Sequence, residues 1–489
     1  MSYLNNLKQA NNYTTTENGA TTHKSTLNGL MDLFAMGGSY RNRSDDDCIT
    51  LFKKAFEEDE SYALKCLFYL RDCREGQGER RFFRVVLKRL AYEHPEAVLR
   101  NLKYTPIMGR WDDLYVLDGT PLENMAYAFM KQQFNLDCDS KTPSLLAKWL
   151  KSENASSKES RRLARKTIEM FGISPKMYRK TLTTLRERIK VLEKLMSEGR
   201  FDEIEFDKIP SRAGIIYRNA FARNDMTKAR YEAFIKSKET KVNARTLYPV
   251  DVAHRAFRAS RLPYDDPERL ALQKYWENLP NYYGEREENG IAVVDVSGSM
   301  TGTPMEAAVS LGAYIAEKAH GPFANHFITF SAQPELVEFN GVDITDKLNR
   351  CANADWGMNT NLEAVFDMLL NVALANSTPQ EDMPTRLYIF SDMEFDAALQ
   401  EWGCWEEKSF NPDTLVEGIA KKWAAHGYKM PEIVFWNLDA RQDNIPAIGE
   451  GFSYVSGFSP VMIEQILSGK TGLDLVMEKL NSERYKDIH

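Results

Sequence analysis

The sequence predicts an α + α/β chain: a HEAT-like α-solenoid first, then a doubly wound, mostly parallel sheet. Two observations carry this. Between residues 47 and 196, apolar residues recur at three- and four-residue spacing in helix after helix, with no strand between them. From residue 291 onward, short apolar runs alternate with helical patterns, the signature of parallel strands joined by crossover helices.

Residues 1–27 are polar and rich in Asn and Thr, which predicts a disordered tail. The helical part is expected over 28–283. Ile49, Phe52 and Phe56, then Ala63, Leu64, Leu67 and Leu70, mark its early helices. Further helices are expected at 82–91, 145–151, 158–171 and 175–196, with Gly and Pro at the turns. No repeat of fixed length is present. A polar, turn-rich stretch at 281–290 marks the boundary. Strands follow at 291–296, 327–330, 336–339, 387–390, 433–438 and 452–455. Helices are expected at 304–318, 362–374, 412–423 and 460–467, and a final helical segment in 471–489.

With 489 residues, 43% hydrophobic and 27% charged, the chain has the composition of a soluble globular protein of two or three domains. No apolar run approaches the ~18 residues of a membrane span. The first 25 residues lack the apolar core of a secretory signal. The expectation is a cytoplasmic protein with no membrane contact. Six scattered cysteines without a CxxC pair predict buried thiols and argue against zinc. The net charge of −7 hides an asymmetry: residues 291–489 carry 13 Lys and Arg against 29 Asp and Glu, net −16, and residues 1–290 carry 50 against 41, net +9. A basic half joined to an acidic half suggests a polyanionic partner for the first.

The segment Ile291-Ala-Val-Val-Asp-Val-Ser-Gly-Ser-Met300 is a buried-strand pattern running into Asp295, Ser297 and Ser299. Groups just beyond the carboxyl end of a parallel strand converge on a ligand crevice. One carboxylate and two hydroxyls are hard oxygen ligands suited to Mg²⁺ or Mn²⁺. Asp-x-Ser-x-Ser resembles the metal-ion-dependent adhesion site of von Willebrand factor A (VWA) domains. Trp356-Gly-Met-Asn-Thr-Asn-Leu362 resembles the segment that brings that family's metal-site threonine, here Thr360. Arg386-Leu-Tyr-Ile-Phe-Ser-Asp392 resembles the strand bearing its last acid, here Asp392. The resemblance implies a Rossmann-like VWA domain over 291–470, with a metal position open to a partner's carboxylate or a phosphate oxygen. Glu394 and Asp396 are expected on a solvated loop beside it.

The helical part carries its own resemblance. Phe68-Tyr-Leu-Arg-Asp-Cys-Arg-Glu-Gly-Gln-Gly-Glu-Arg-Arg81 and Met108-Gly-Arg-Trp-Asp-Asp-Leu114 resemble segments of Ro/TROVE-like proteins, in an uncharacterised branch from phages, large viruses and cells. Leu146-Ala-Lys-Trp-Leu150, 174–186, 192–196 and Ile209-Pro-Ser-Arg-Ala213 extend the match. The resemblance implies a ring of HEAT-like helices that binds small noncoding or structured RNA with single-stranded ends. The residues give that expectation a physical form. Arg71, Arg74, Arg80, Arg81 and Arg84, then Arg110, then Lys176, Arg179 and Lys180 supply phosphate-binding charge. Tyr69, Phe82, Phe83, Trp111 and Trp149 are candidate base-stacking faces. No P-loop, GxSxG or HExxH is present, so the chain is expected to bind rather than catalyse. Two functions follow: an RNA-binding scaffold with a metal-dependent adhesion site, or a metal-dependent protein-adhesion scaffold without RNA.

Overall fold

The computed structural model describes residues 3–330, 333–352, 360–397 and 414–489. Apart from one N-terminal hairpin, the elements up to Pro267–Glu277 are helices, and a six-stranded sheet with helices follows. The helices begin where the sequence supplies caps. Ser44 and Asp47 form a reciprocal capping box at Asp45–Glu58, and Asp59 caps Glu60–Arg71. Ser174 caps Pro175–Arg188, with proline in the first turn.

The expected disorder of residues 1–27 is corrected by the structure over residues 3–27. Tyr3–Ala10 is helical, and β1 (Tyr13–Thr15) pairs antiparallel with β2 (Thr21–His23). The hairpin turn runs through Asn18 and Gly19, with Gly19 at a φ of 91°. Asn-Gly at a turn of this kind is a hairpin signal that the polar composition masked. The turn is held by its own groups: Thr16 N donates to Ala20 O and Gly19 N to Thr16 O.

Six further strands form one sheet in the order β5-β4-β3-β6-β7-β8. They are β3 (Gly290–Asp295), β4 (His326–Phe330), β5 (Leu336–Glu338), β6 (Arg386–Ser391), β7 (Glu432–Asn437) and β8 (Phe452–Ser456). All pairs are parallel except β4 with β5. Strand β3 is buried along its whole length, and β6 and β7 from their second residue on, which is why they read as continuous apolar runs. Sequence periodicity missed one helix here, Ile344–Ala352. The chain leaves β3 toward β4 on one side and reaches β6 on the other, so β3 and β6 flank a topological switch point.

The two halves share one hydrophobic core, and a smaller cluster lies around Phe206, Phe221 and Tyr231. Helix Gly29–Met36 packs on edge strand β8, where Gly38 N donates to Ser456 Oγ and Ser456 Oγ to Phe34 O. This covers an edge that would otherwise present unpaired backbone. After Gly472–Leu480 the chain returns to the helical half. Arg484 pairs with Asp72, and Tyr485 Oη donates to the same carboxylate.

Candidate metal centre and cationic cavity

The loops after β3, β6 and β7 meet at the switch point. Asp295 ends β3 and is wholly buried; its Oδ1 accepts from Ser297 N at 2.9 Å and its Oδ2 from Ser391 Oγ at 2.6 Å. The Ser297 and Ser299 hydroxyls lie 3.0 Å apart. Asp392, just past β6, is buried beside Asp295; its Oδ1 accepts from Glu394 N, while its Oδ2 finds no hydrogen-bond donor. Burial first, and then the charge of Asp392, pushes the Asp295 carboxyl up to about 7. Met393 sits at a left-handed φ of 66°, a strained backbone of the kind found where surroundings force it. The Thr360 hydroxyl is tied to the same loop, reaching Glu394 O at 3.1 Å and Asp396 Oδ1 at 3.3 Å. Residues 356–359 of the expected threonine segment lie outside the described residues.

Glu394, expected on a solvated loop, is fully buried instead. Its Oε1 accepts from Asn444 Nδ2 at 2.8 Å and its Oε2 from Glu17 N at 2.7 Å. Burial raises its carboxyl to about 7. The sequence reading also missed Arg441, in the loop after β7. Its guanidinium stands 3.2 Å from Asp392 Oδ2 and 2.6 Å from the Glu17 carboxylate. The available signal was position alone: a charged residue a few places beyond a buried strand's carboxyl end.

The donor set fits a hard divalent cation. Two buried carboxylates lie together with hydroxyls beside them, and Arg441 reaches Asp392 Oδ2 at 3.2 Å. Two buried carboxylates held together repel, and a divalent cation relieves that repulsion. Among the described residues, no group of three or more His, Cys, Asp or Glu is placed to hold a metal; the hydroxyl-rich set here has a different composition.

The second feature is a cavity of about 1660 Å³ in the helical half. Nine arginines and two lysines line it against three glutamates, with Trp111, Trp149, Tyr217 and Tyr248 in the walls. Arg110 lies over the Trp149 ring at 4.6 Å. Burial lowers the Arg110 guanidinium below its ordinary value, and the charges of Arg71, Arg80 and Arg212 add to the effect, against Asp112. The cluster therefore holds like charges together.

Of the basic residues singled out in the sequence, Arg71, Arg74, Arg80, Arg81 and Arg110 line this cavity. Arg71 is spent on a buried pair with Asp113, and Arg81 on Asp45. Arg84 pairs with Asp112 and Asp113 away from the cavity wall. Arg179 pairs with Glu153, and exposed Lys176 and Lys180 also lie outside the lining. Arg41, Arg212 and Arg245 line it and were missed; each is isolated from the basic stretches in sequence. Tyr69, Phe82 and Phe83 are core residues, Tyr69 stacking on Phe34, so none of them offers a face to a base. Trp111 and Trp149 remain at the cavity.

Residues 16–114 and 135–288 match a family described as domain of unknown function (DUF2828). Residues 289–488 match a second, described as domain of unknown function (DUF7788). The chain is similar to a protein of Acanthamoeba polyphaga mimivirus named "Uncharacterized protein L728", with 28% identity over 504 residues, covering 94% of this chain and 85% of the relative.

Proposed function

The chain belongs to the family described as domain of unknown function (DUF2828), and we propose that it is an RNA-binding ribonucleoprotein scaffold with a metal-ion-dependent adhesion site. One observation carries the RNA reading. Arg110 stands over the Trp149 ring within the fields of Arg71, Arg80 and Arg212, in a cavity lined by nine arginines and two lysines against three glutamates. Like charges held together call for an anion. A phosphate backbone supplies the charge, and unstacked bases match the aromatic face. The partner is a small noncoding or structured RNA with single-stranded ends, since paired bases cannot reach a stacking face. In this reading the helices stack in HEAT-like fashion into a ring around the cavity, as in Ro/TROVE-like proteins, and the sheet half is a VWA-like domain. The setting is the cytoplasm; among the described residues no helix is long and apolar enough to cross a membrane. The chemistry is binding rather than turnover.

Asp295, Ser297, Ser299, Thr360 and Asp392 would hold Mg²⁺ or Mn²⁺. Such an ion supplies an electrophilic position for a partner's carboxylate or phosphate oxygen. The buried Asp295 and Asp392 carboxylates, which owe nothing to the cavity, favour a second reading in which the metal site holds a protein and no RNA binds.

A salt titration against a fluorescent RNA with a single-stranded 3′ tail separates the two. RNA binding should weaken with a log–log slope of about −0.7 per phosphate neutralised. No binding at low salt, or binding indifferent to salt, removes the RNA reading and leaves the adhesion scaffold.

A further inference from the structure

The hairpin β1–β2 lies across the candidate metal centre. Its backbone pairs with the loops after β6 and β7 as a short added strand. Ala397 N donates to Asn18 O at 3.1 Å, and His23 and Ile445 exchange hydrogen bonds at 3.1 and 2.9 Å. Gly19 opposes Asp396, and Thr16 Oγ1 and Thr22 Oγ1 donate to Phe395 O and Ile445 O. The tip enters the site itself. Asn18 Nδ2 donates to Thr360 Oγ1 at 3.0 Å and to Glu394 O at 2.6 Å, and the Glu17 carboxylate pairs with Arg441, which faces Asp392.

These contacts are polar. Glu17, Asn18 and Gly19 are exposed on their outer side, and Ala20 is the one apolar residue of the 16–20 turn. Each such hydrogen bond adds little net stability, because it replaces one to water. A segment with few buried apolar groups belongs to the low-stability end of a fold.

We propose that the hairpin is an internal ligand of this face, and that the face's external partner is an extended peptide segment bearing a carboxylate, which displaces it. Such a segment replaces the strand pairing at Asp396 and Ile445 and brings its own carboxylate where Glu17 now stands. This is strand addition with an acidic anchor. The proposal rests on the metal reading, because the face the hairpin covers is the one beside Asp295 and Asp392, while the carboxylate itself stands against Arg441.

The test uses full-length chains and one probe, a fluorescent peptide with the sequence of residues 11–26. Glu17→Ala with Asn18→Ala frees the hairpin tip. Gly19→Cys with Ala397→Cys locks it, since a Cβ at Gly19 lies 3.6 Å from Ala397 Cβ, within disulfide reach. The probe should bind the freed chain at least about tenfold more tightly than the oxidised locked chain. Reduction of the locked chain should restore binding, and a probe with alanine in place of Glu17 and Asn18 should bind neither chain. Equal probe binding to the freed and the oxidised locked chains overturns the proposal, whatever the metal does. Mn²⁺ uptake, read by electron paramagnetic resonance on the same proteins, tests the metal reading separately. Probe exchange with no Mn²⁺ bound overturns the claim that the hairpin guards a cation. If the freed variant does not fold, the oxidised and reduced states of the locked chain decide the matter alone.

Discussion

Two nitrogens of Arg71 converge on one oxygen of Asp113, Nε at 2.9 Å and Nη2 at 2.7 Å, with both side chains almost wholly out of water. Arg84 Nε takes the other oxygen at 2.6 Å. Breaking a buried pair by removing one partner strands the other charge. Arg71→Ala should therefore destabilise the fold by about 3 kcal/mol, the low end for such a loss, because Arg84 still compensates Asp113. Urea unfolding checks this. A variant of unchanged stability with weakened RNA binding would make Arg71 an RNA-binding residue after all.

The cavity arginines should behave in the opposite way. Arg80→Ala, Arg110→Ala and Arg212→Ala together should weaken RNA binding and flatten the salt slope by roughly 0.7 for each phosphate no longer neutralised. Lys176→Ala, Arg179→Ala and Lys180→Ala together should leave both unchanged, since those side chains lie outside the lining. Fluorescence anisotropy across a salt series reads the two triple variants side by side.

Replacing Asp295 should abolish Mg²⁺ uptake in calorimetry and leave RNA affinity nearly intact, since the cavity lies in the other half. Identical Mg²⁺ uptake by Asp295→Ala and wild type would sink the metal assignment.

His23 gives the hairpin a pH dependence. Burial holds its imidazole below the ordinary 6.5, against the opposing charge of Glu417, and its Nδ1 has no hydrogen-bond partner. The released hairpin then binds protons more readily than the docked one. Docking is unaffected above 6.5 and loses stability as pH falls below it. Glu394, raised to about 7, acts in the other direction, so the histidine's share is the difference between wild type and His23→Gln. Hydrogen exchange of residues 11–26 between pH 7.5 and about 5.5 should show acidification shifting the hairpin further toward opening in wild type than in His23→Gln.

The parts of this molecule legible in its sequence are those whose cause is local. The strand ending in Asp295 and the one ending in Ser391 announce themselves because burial on both faces demands unbroken apolar runs. Apolar spacing of three and four residues did the same for helices such as Asp45–Glu58 and Lys158–Phe171. The hairpin was illegible because its partners, Phe395 and Ile445, are 379 and 423 residues away from Thr16 and Thr22. Polar composition says nothing about a distant backbone edge waiting to pair. Arg441 was hidden for the same reason. Among the arginines, the sequence shows the charge but not its direction. Arg80 and Arg84 are neighbours on one helical turn, yet the first lines the cavity and the second is held by Asp112 and Asp113.

Asp72 closes the helical half through Arg484 and Tyr485, 412 and 413 residues further along the chain. At the usual 5–20 residues per second of synthesis, those partners reach Asp72 roughly 20–80 s after it is made. Throughout that interval a carboxylate that ends up wholly buried has neither its guanidinium nor its phenol, and the surface that will receive Tyr485 stays wet. The nascent helical half is thus a waiting intermediate, open to chaperones and to proteases, and its lifetime is set by the ribosome rather than by its own folding rate.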